Sequence, residues 1–186
     1  MNMMNKPDKK IESCIKDLLR AIGEKPSRPG LKDTPARTAK AWKEWTRGYK
    51  PFPQRIVLFP VSFKGLVVRK GIPFSSTCEH HLAQYIGTMD FGYVPDKQVI
   101  GISKIIRILQ HYSARLTIQE QLTQDLLDKF VALVKPQGAI IKMTGFHTCE
   151  GTRGVKVPNV PTITTAAYGV LKKDTKTAHR FYSLVK

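Results

Sequence analysis

Between Pro7 and Ile22 the apolar residues Ile11, Cys14, Ile15, Leu18, Leu19 and Ile22 recur mostly at intervals of three and four, and Gly23 follows. This period predicts an amphipathic helix that stops at the glycine and carries Cys14 on its inward stripe as a core residue. A connection containing Pro and Gly, Lys25 to Leu31, comes next. Asp33-Thr34-Pro35 then supplies a cap and a proline suited to a first turn, opening a second helix through Ala36, Ala39, Trp42 and Trp45. Arg37 and Lys40 stand three apart there, on one face that is either simply solvated or presents paired cations.

From Pro51 to Phe74 the period shortens. Arg55 to Phe59 and Leu66 to Arg69 read as short strands, broken by Pro60, Gly65 and Gly71. A loop from Ser75 to Leu82 follows, and Tyr85 to Val94 and Gln98 to Ile102 read as two more strands joined at Pro95-Asp96-Lys97. Gly101-Ile102-Ser103-Lys104 leads into a helix whose apolar face is Ile105, Leu109, Tyr112 and Leu116, with Lys104, Arg107 and His111 on another face as a basic stripe. Such a stripe is either solvated or, with Ser103, a holder of phosphate at a helix start. Another helix spans Gln119 to Val134, with Glu120 where a carboxylate suits the helix dipole. Ala139 to His147 reads as a strand, Thr162 to Leu171 as another, and Thr177 to Leu184 as a short last helix. The pattern predicts a helical extension over residues 1–50 and a mixed α and β domain over 51–186.

Chemistry concentrates in two places. Ser75-Ser-Thr-Cys-Glu-His-His-Leu82 is answered about seventy residues later by His147-Thr148-Cys149. Cys78 and His81 lie three apart, so one tight turn can aim both at a single ion while His80 points elsewhere. On an extended strand His147 and Cys149 share a face. Cys78, His81 and Cys149 could therefore close on one Zn²⁺ and leave its fourth position open, the arrangement of a catalytic site. His80 and His147 remain beside it for proton transfer. The spacing fits neither a zinc finger nor a zinc ribbon, and the Pro-Cys-x-x-Cys of nucleobase deaminases is missing.

Composition adds the compartment and the charge. No apolar run approaches a membrane span, and the start, Met1 to Lys6, lacks the apolar core of a signal peptide, so a cytoplasmic protein is expected. With Cys78 and Cys149 on a metal only Cys14 is left, and no disulfide can form without dismantling the site. The formal charge of +17 is scattered along the chain, not gathered in a tail. It suits a polyanion, either a nucleoside triphosphate or, as the lesser alternative, nucleic acid.

Cys78-Glu-His-His81, Gly92-Tyr-Val-Pro95, Val99 to Lys104, Ile118 to Thr123, His147-x-Cys149 and Arg153-Gly154 resemble the successive signatures of GTP cyclohydrolase I, and Asp33 to Lys40 resembles the helix before that enzyme's core. The resemblance runs from about Lys10 onward. It implies an α+β tunnelling fold, an antiparallel sheet with two helices on one face, assembled into rings, typically a homodecamer with sites at subunit junctions. It implies Zn²⁺ on Cys78, His81 and Cys149, catalytic His80, His147 and Ser103, and guanine recognition by Glu120 with Gln119. Lys104, Arg107 and Arg153 would lie near the triphosphate, with Lys40 added from a neighbouring subunit. The implied reaction turns GTP into 7,8-dihydroneopterin triphosphate and formate.

Departures from the family pattern are Glu150-Gly151-Thr152 after the metal ligand, Val160-Pro161, Gln121 in place of the usual Arg, and Gln84 where many members have Pro. They bear on affinity and preference more than on reaction class. A related pterin or deazaguanine enzyme on the same fold, and a basic binding protein that has lost catalysis, are the alternatives. The intact Cys and His set weighs against both.

Overall fold

The computed structural model describes residues 6–53 and 55–186, in two compact units, one reaching to Arg47 and one running from Gly48 to Lys186. Met1 to Asn5, where no signal peptide is expected, lie outside the described residues.

The first unit is a pair of helices, α1 (Lys6–Ala21) and α2 (Thr34–Trp45). Lys43 Nζ reaches Asp8 at 3.0 Å and ties them together. Asp33 precedes α2 without a side-chain capping bond, and Pro35 sits in the first turn, where its missing N–H removes no helical hydrogen bond. The stripe on α1 is buried less than its period suggests: Leu19 is buried, but Leu18, Ile22 and Cys14 are exposed. One packed helix covers only a narrow strip of its neighbour, so Cys14 is not a core residue.

The second unit contains β1 (Leu58–Pro60), β2 (Val67–Cys78), β3 (Gln84–Val94), β4 (Gln98–Ile100), α3 (Ile102–Tyr112), β5 (Leu116–Thr117), α4 (Gln119–Val134), β6 (Gly138–His147), α5 (Thr148–Gly151), β7 (Thr162–Gly169), α6 (Val170–Lys173) and α7 (Thr175–Leu184). β1 and β4 form a small ladder, and the main sheet has the order β5-β2-β3-β6-β7, antiparallel except where β5 runs parallel to β2. This is the α+β arrangement expected from the sequence, with α3 and α4 on one face. Ile105, Ile108 and Leu109 of α3 and Leu122, Leu126, Leu127 and Phe130 of α4 are buried against that face. On the opposite face α6 and α7 cover one end only, placing Leu171, Phe181 and Val185 on Val94 and Ile140. No helix among the described residues is long and apolar enough to cross a membrane.

Several local expectations change. Gly71 does not break a strand; β2 continues through it as a bulge between Arg69 and Ile72, with Gly71 at φ +67° and its N–H donated to Asp90 Oδ1 at 2.8 Å. The one extra residue shifts the alternation, so Ile72, Phe74, Ser76 and Cys78 continue the helix-covered face that Val67 begins. Leu116 belongs to β5 and not to the α3 face. His111 is no part of a solvated basic stripe: it is buried, with its ring edge-on to Phe52 and to Tyr112, each at 5.2 Å. The strand ending in His147 does not reach Cys149, which lies in the first turn of α5. Helical backbone, and not strand alternation, aims that thiol.

Candidate active site

The site grows from one end of the helix-covered face. Along β2 that face reads Ile72, Phe74, Ser76, Cys78, along β6 Ala139, Ile141, Met143, Gly145, His147, and along α4 it runs back from Phe130 to Thr123 and Gln119. Each element changes from apolar to polar in the same direction, so the polar ends meet.

Only Glu79 to Ala83 lie between β2 and β3. Cys78 N–H donates to Ala83 O at 2.8 Å and Leu82 N–H donates to Cys78 O at 2.9 Å. Closing this tightly puts Leu82 in the left-handed region, at φ 55°. The turn folds His81 back on Cys78, with Nδ1 at 3.9 Å from Sγ, and α5 brings Cys149 Sγ to 3.9 Å from the same sulfur. The three ligand atoms lie within 4.8 Å of one another. Two thiolates on a tetrahedral zinc, each about 2.3 Å from it, stand about 3.8 Å apart, so the trio fits that ion's dimensions and its preference for sulfur and imidazole. Burial raises the Cys149 thiol above its usual range and the nearby Cys78 adds to the rise.

A cleft of about 250 Å³ opens beside the trio, with His80, Glu120, His147 and Glu150 in its walls. His80 is exposed, its ring 6.2 Å from that of His81 and nearly perpendicular to it. His147 is half-buried, and desolvation holds its pKa below the ordinary 6.5 against the opposing pull of Glu120 and Glu150. Its ring lies flat on Tyr85, the centroids 4.5 Å apart and the planes within 10°. Tyr85 is fully buried, and burial pushes its pKa up to about 12, with the neighbouring Ser76 side chain working the other way. Gln119 forms the floor, 1% exposed, with its amide bonded to His147 and to backbone carbonyls of β6 and β7.

The remaining candidates do not line the cleft. Ser103, Lys104 and Arg107 are on the first turns of α3, Arg153 is in the connection between α5 and β7, and Lys40 is on α2 of the other unit. Two features were not legible in the sequence. The stack of Tyr85 on His147 follows from the β3–β6 register, which pairs these two residues directly. The second is Glu150: the sequence marks it only as a departure from the family pattern, and the structure puts it in the wall of the histidine cleft.

Comparison with known proteins agrees with this geometry. Residues 11–186 match the family model described as GTP cyclohydrolase I. The chain belongs to the GTP cyclohydrolase I family. A GTP cyclohydrolase 1 of Helicobacter pylori (strain ATCC 700392 / 26695) is 37% identical over 180 residues, covering 95% of this chain and 99% of that one. One from Campylobacter curvus (strain 525.92) is 38% identical over 94% of this chain and 93% of its own, and one from Dictyostelium discoideum is 35% identical over 95% and 77%. The solved apo structure of the archaeosine synthase QueF-Like is similar at a TM-score of 0.45 and 20% identity, over 56% of this chain and 94% of that one, too distant to bear on the site. The protein is thus an enzyme of the GTP cyclohydrolase I family, and Cys78, His81 and Cys149 form a group within it able to hold a metal ion.

Proposed function

We propose that the enzyme uses a zinc ion on Cys78, His81 and Cys149 to open the imidazole ring of GTP, releasing C8 as formate and yielding 7,8-dihydroneopterin triphosphate. The observation that carries this reading is the meeting of the thiol–imidazole trio with His80, His147 and Glu120 around one cleft in a chain of this family. A zinc ion at that trio supplies the Lewis acidity that makes water nucleophilic near neutral pH. Glu120 offers acceptors to the N1 and N2 donors of guanine and so would anchor the base in the cleft. His80 and His147 move protons to and from the ring nitrogens and the sugar oxygen, and Ser103 assists the rearrangement of the ribose.

Lys104, Arg107, Arg153 and Lys40 hold the triphosphate. Since Ser103, Lys104 and Arg107 do not line the cleft of their own chain, we assign them to the cleft of a neighbouring subunit in a ring, as a homodecamer. Ile86, Phe146 and Ile163 support assembly: they leave 57%, 41% and 57% of their surface exposed on the sheet face away from α3 and α4, where a partner would cover them.

The test is direct. Zinc-replete protein given GTP should release formate and, after oxidation, a fluorescent pterin, with about one zinc per chain and loss of both products on chelation. GTP left intact by the zinc-replete enzyme, at a rate shared by Cys78→Ala, would remove the proposal. Light scattering checks the ring, and a monomer at micromolar concentration would overturn it.

A further inference from the structure

The hydrogen bonds beneath His147 have only one consistent polarity. Gln119 Nε2 lies 2.9 Å from the carbonyl oxygen of Thr162 and 3.3 Å from that of Met143. Both oxygens can only accept, so the amide group facing them must be the NH₂. The reversed amide would set three oxygens against one another. Thr123 Oγ1 donates to Gln119 O at 2.7 Å, which uses its one proton, so Thr164 must donate in the 2.6 Å contact between the two hydroxyls. Thr164 Oγ1 then has lone pairs for Gln119 Nε2 at 3.1 Å. Every neighbour fixes the amide the same way round.

Its other end, Oε1, therefore accepts, and the group at 3.1 Å from it is His147 Nε2, which must carry a proton. Gly145 makes this approach possible, since a Cβ there would stand 2.1 Å from Oε1. Tyr85 fixes the ring plane from one face. Nδ1 is the one polar atom of the ring left for substrate.

We infer that Gln119 is a positioning residue that locks neutral His147 as its Nε2–H tautomer, so that Nδ1 meets substrate as a proton acceptor. This rests on the reading above, in which His147 handles protons of the substrate. Gln119 acts through His147 and not by touching guanine, consistent with its burial. Fixing the tautomer of a catalytic imidazole through its second nitrogen is a strong lever on rate.

The experiment uses the full-length zinc-replete enzyme with ring-¹⁵N histidine, observed by NMR at about pH 8.5, well above the ordinary histidine range. His147 is assigned by the signal missing from His147→Gln. The expected spectrum has a protonated Nε2 and an unprotonated Nδ1. Gln119→Leu should convert part of that signal to the other tautomer and lower kcat about 100-fold, with KM changed less than about 3-fold.

A proton on Nδ1 in the wild-type spectrum overturns the inference even if neither variant folds. So does a Gln119→Leu enzyme whose KM rises while kcat stands, since that describes a residue on the substrate. If the spectra behave as expected while wild-type enzyme leaves GTP intact, the positioning role holds and the proposed reaction falls. If GTP is consumed and the proton sits on Nδ1, the reaction holds and the positioning role falls.

Discussion

The two ends of the helix-covered sheet face are made from the same strands by the same alternation, and they do opposite work. At one end Phe130 meets Phe91 and Tyr93 edge-on, the three rings 4.5 to 5.8 Å apart and buried, beside Ile105, Leu126 and Ile141. At the other end the equivalent positions are Cys78, Tyr85, His147 and Gln119, and the packing gives way to a cleft. The dry end supplies free energy through apolar burial. The wet end spends some of it, holding two thiols together, burying a phenol hydroxyl and leaving a histidine partly stripped of water. A site of this kind can be imprecise nowhere, and its rigidity is borrowed from the packed end a few residues along each strand.

If the ends are separable in this way, substitutions should sort by location. The largest effect belongs to the wet end: His147→Ala should lower kcat on the order of 10²- to 10⁴-fold, and Cys78→Ala should remove both metal and turnover, while thermal melting shows each variant still folded. A large loss of stability in His147→Ala would join the two ends and break the contrast. Next comes Phe130→Ala at the dry end, 2% exposed in the native chain, which should cost about 3–5 kcal/mol in denaturant titration and leave the KM of the folded enzyme unchanged.

Gly71 sits between the two because the bulge it permits sets the parity of β2. A valine there must adopt φ +67°, at a cost of about 2 kcal/mol. Zinc content should fall as well, since relief of the strain by a one-residue slip turns Cys78 to the wrong face. Full zinc occupancy in a destabilised Gly71→Val would detach the bulge from the site.

Smaller effects sharpen the picture. Tyr85→Phe keeps the ring on His147 and removes one buried hydroxyl beside Ser76, so stability in denaturant titration should change by no more than about 1 kcal/mol. The smallest expected effect is a slope. Because burial lowers the His147 pKa from 6.5, the unfolded ring takes up a proton that the folded ring refuses, and stability should decline as pH falls through 6.5 and level off below the folded value. His147→Gln should flatten that part of the wild-type curve of urea midpoint against pH.

Much of this was legible in the chain. Helix periods over Ile11 to Ile22 and Leu122 to Leu133, the strand runs, the grouping of Cys78, His81 and Cys149, and the spare histidines are all local patterns. Misreadings came where the neighbourhood decides. Cys14 has the right period but too narrow a partner, His111 has the right charge but faces Phe52, and Gly71 looks like a break until Asp90 is seen holding it.

By itself the sequence determined the inventory: which side chains can bind a metal, which can carry protons, and which stretches must be helix or strand. Those properties belong to single residues and to short-range periods of 2 and 3.6. Only the tertiary structure decided that Tyr85 would lie on His147, that Gln119 would turn its oxygen to that ring, and that a bulge at Gly71 would bring Cys78 to the working face. Each of these depends on strand register and on hydrogen-bond polarity summed over residues far apart in the chain, and no local pattern encodes that sum.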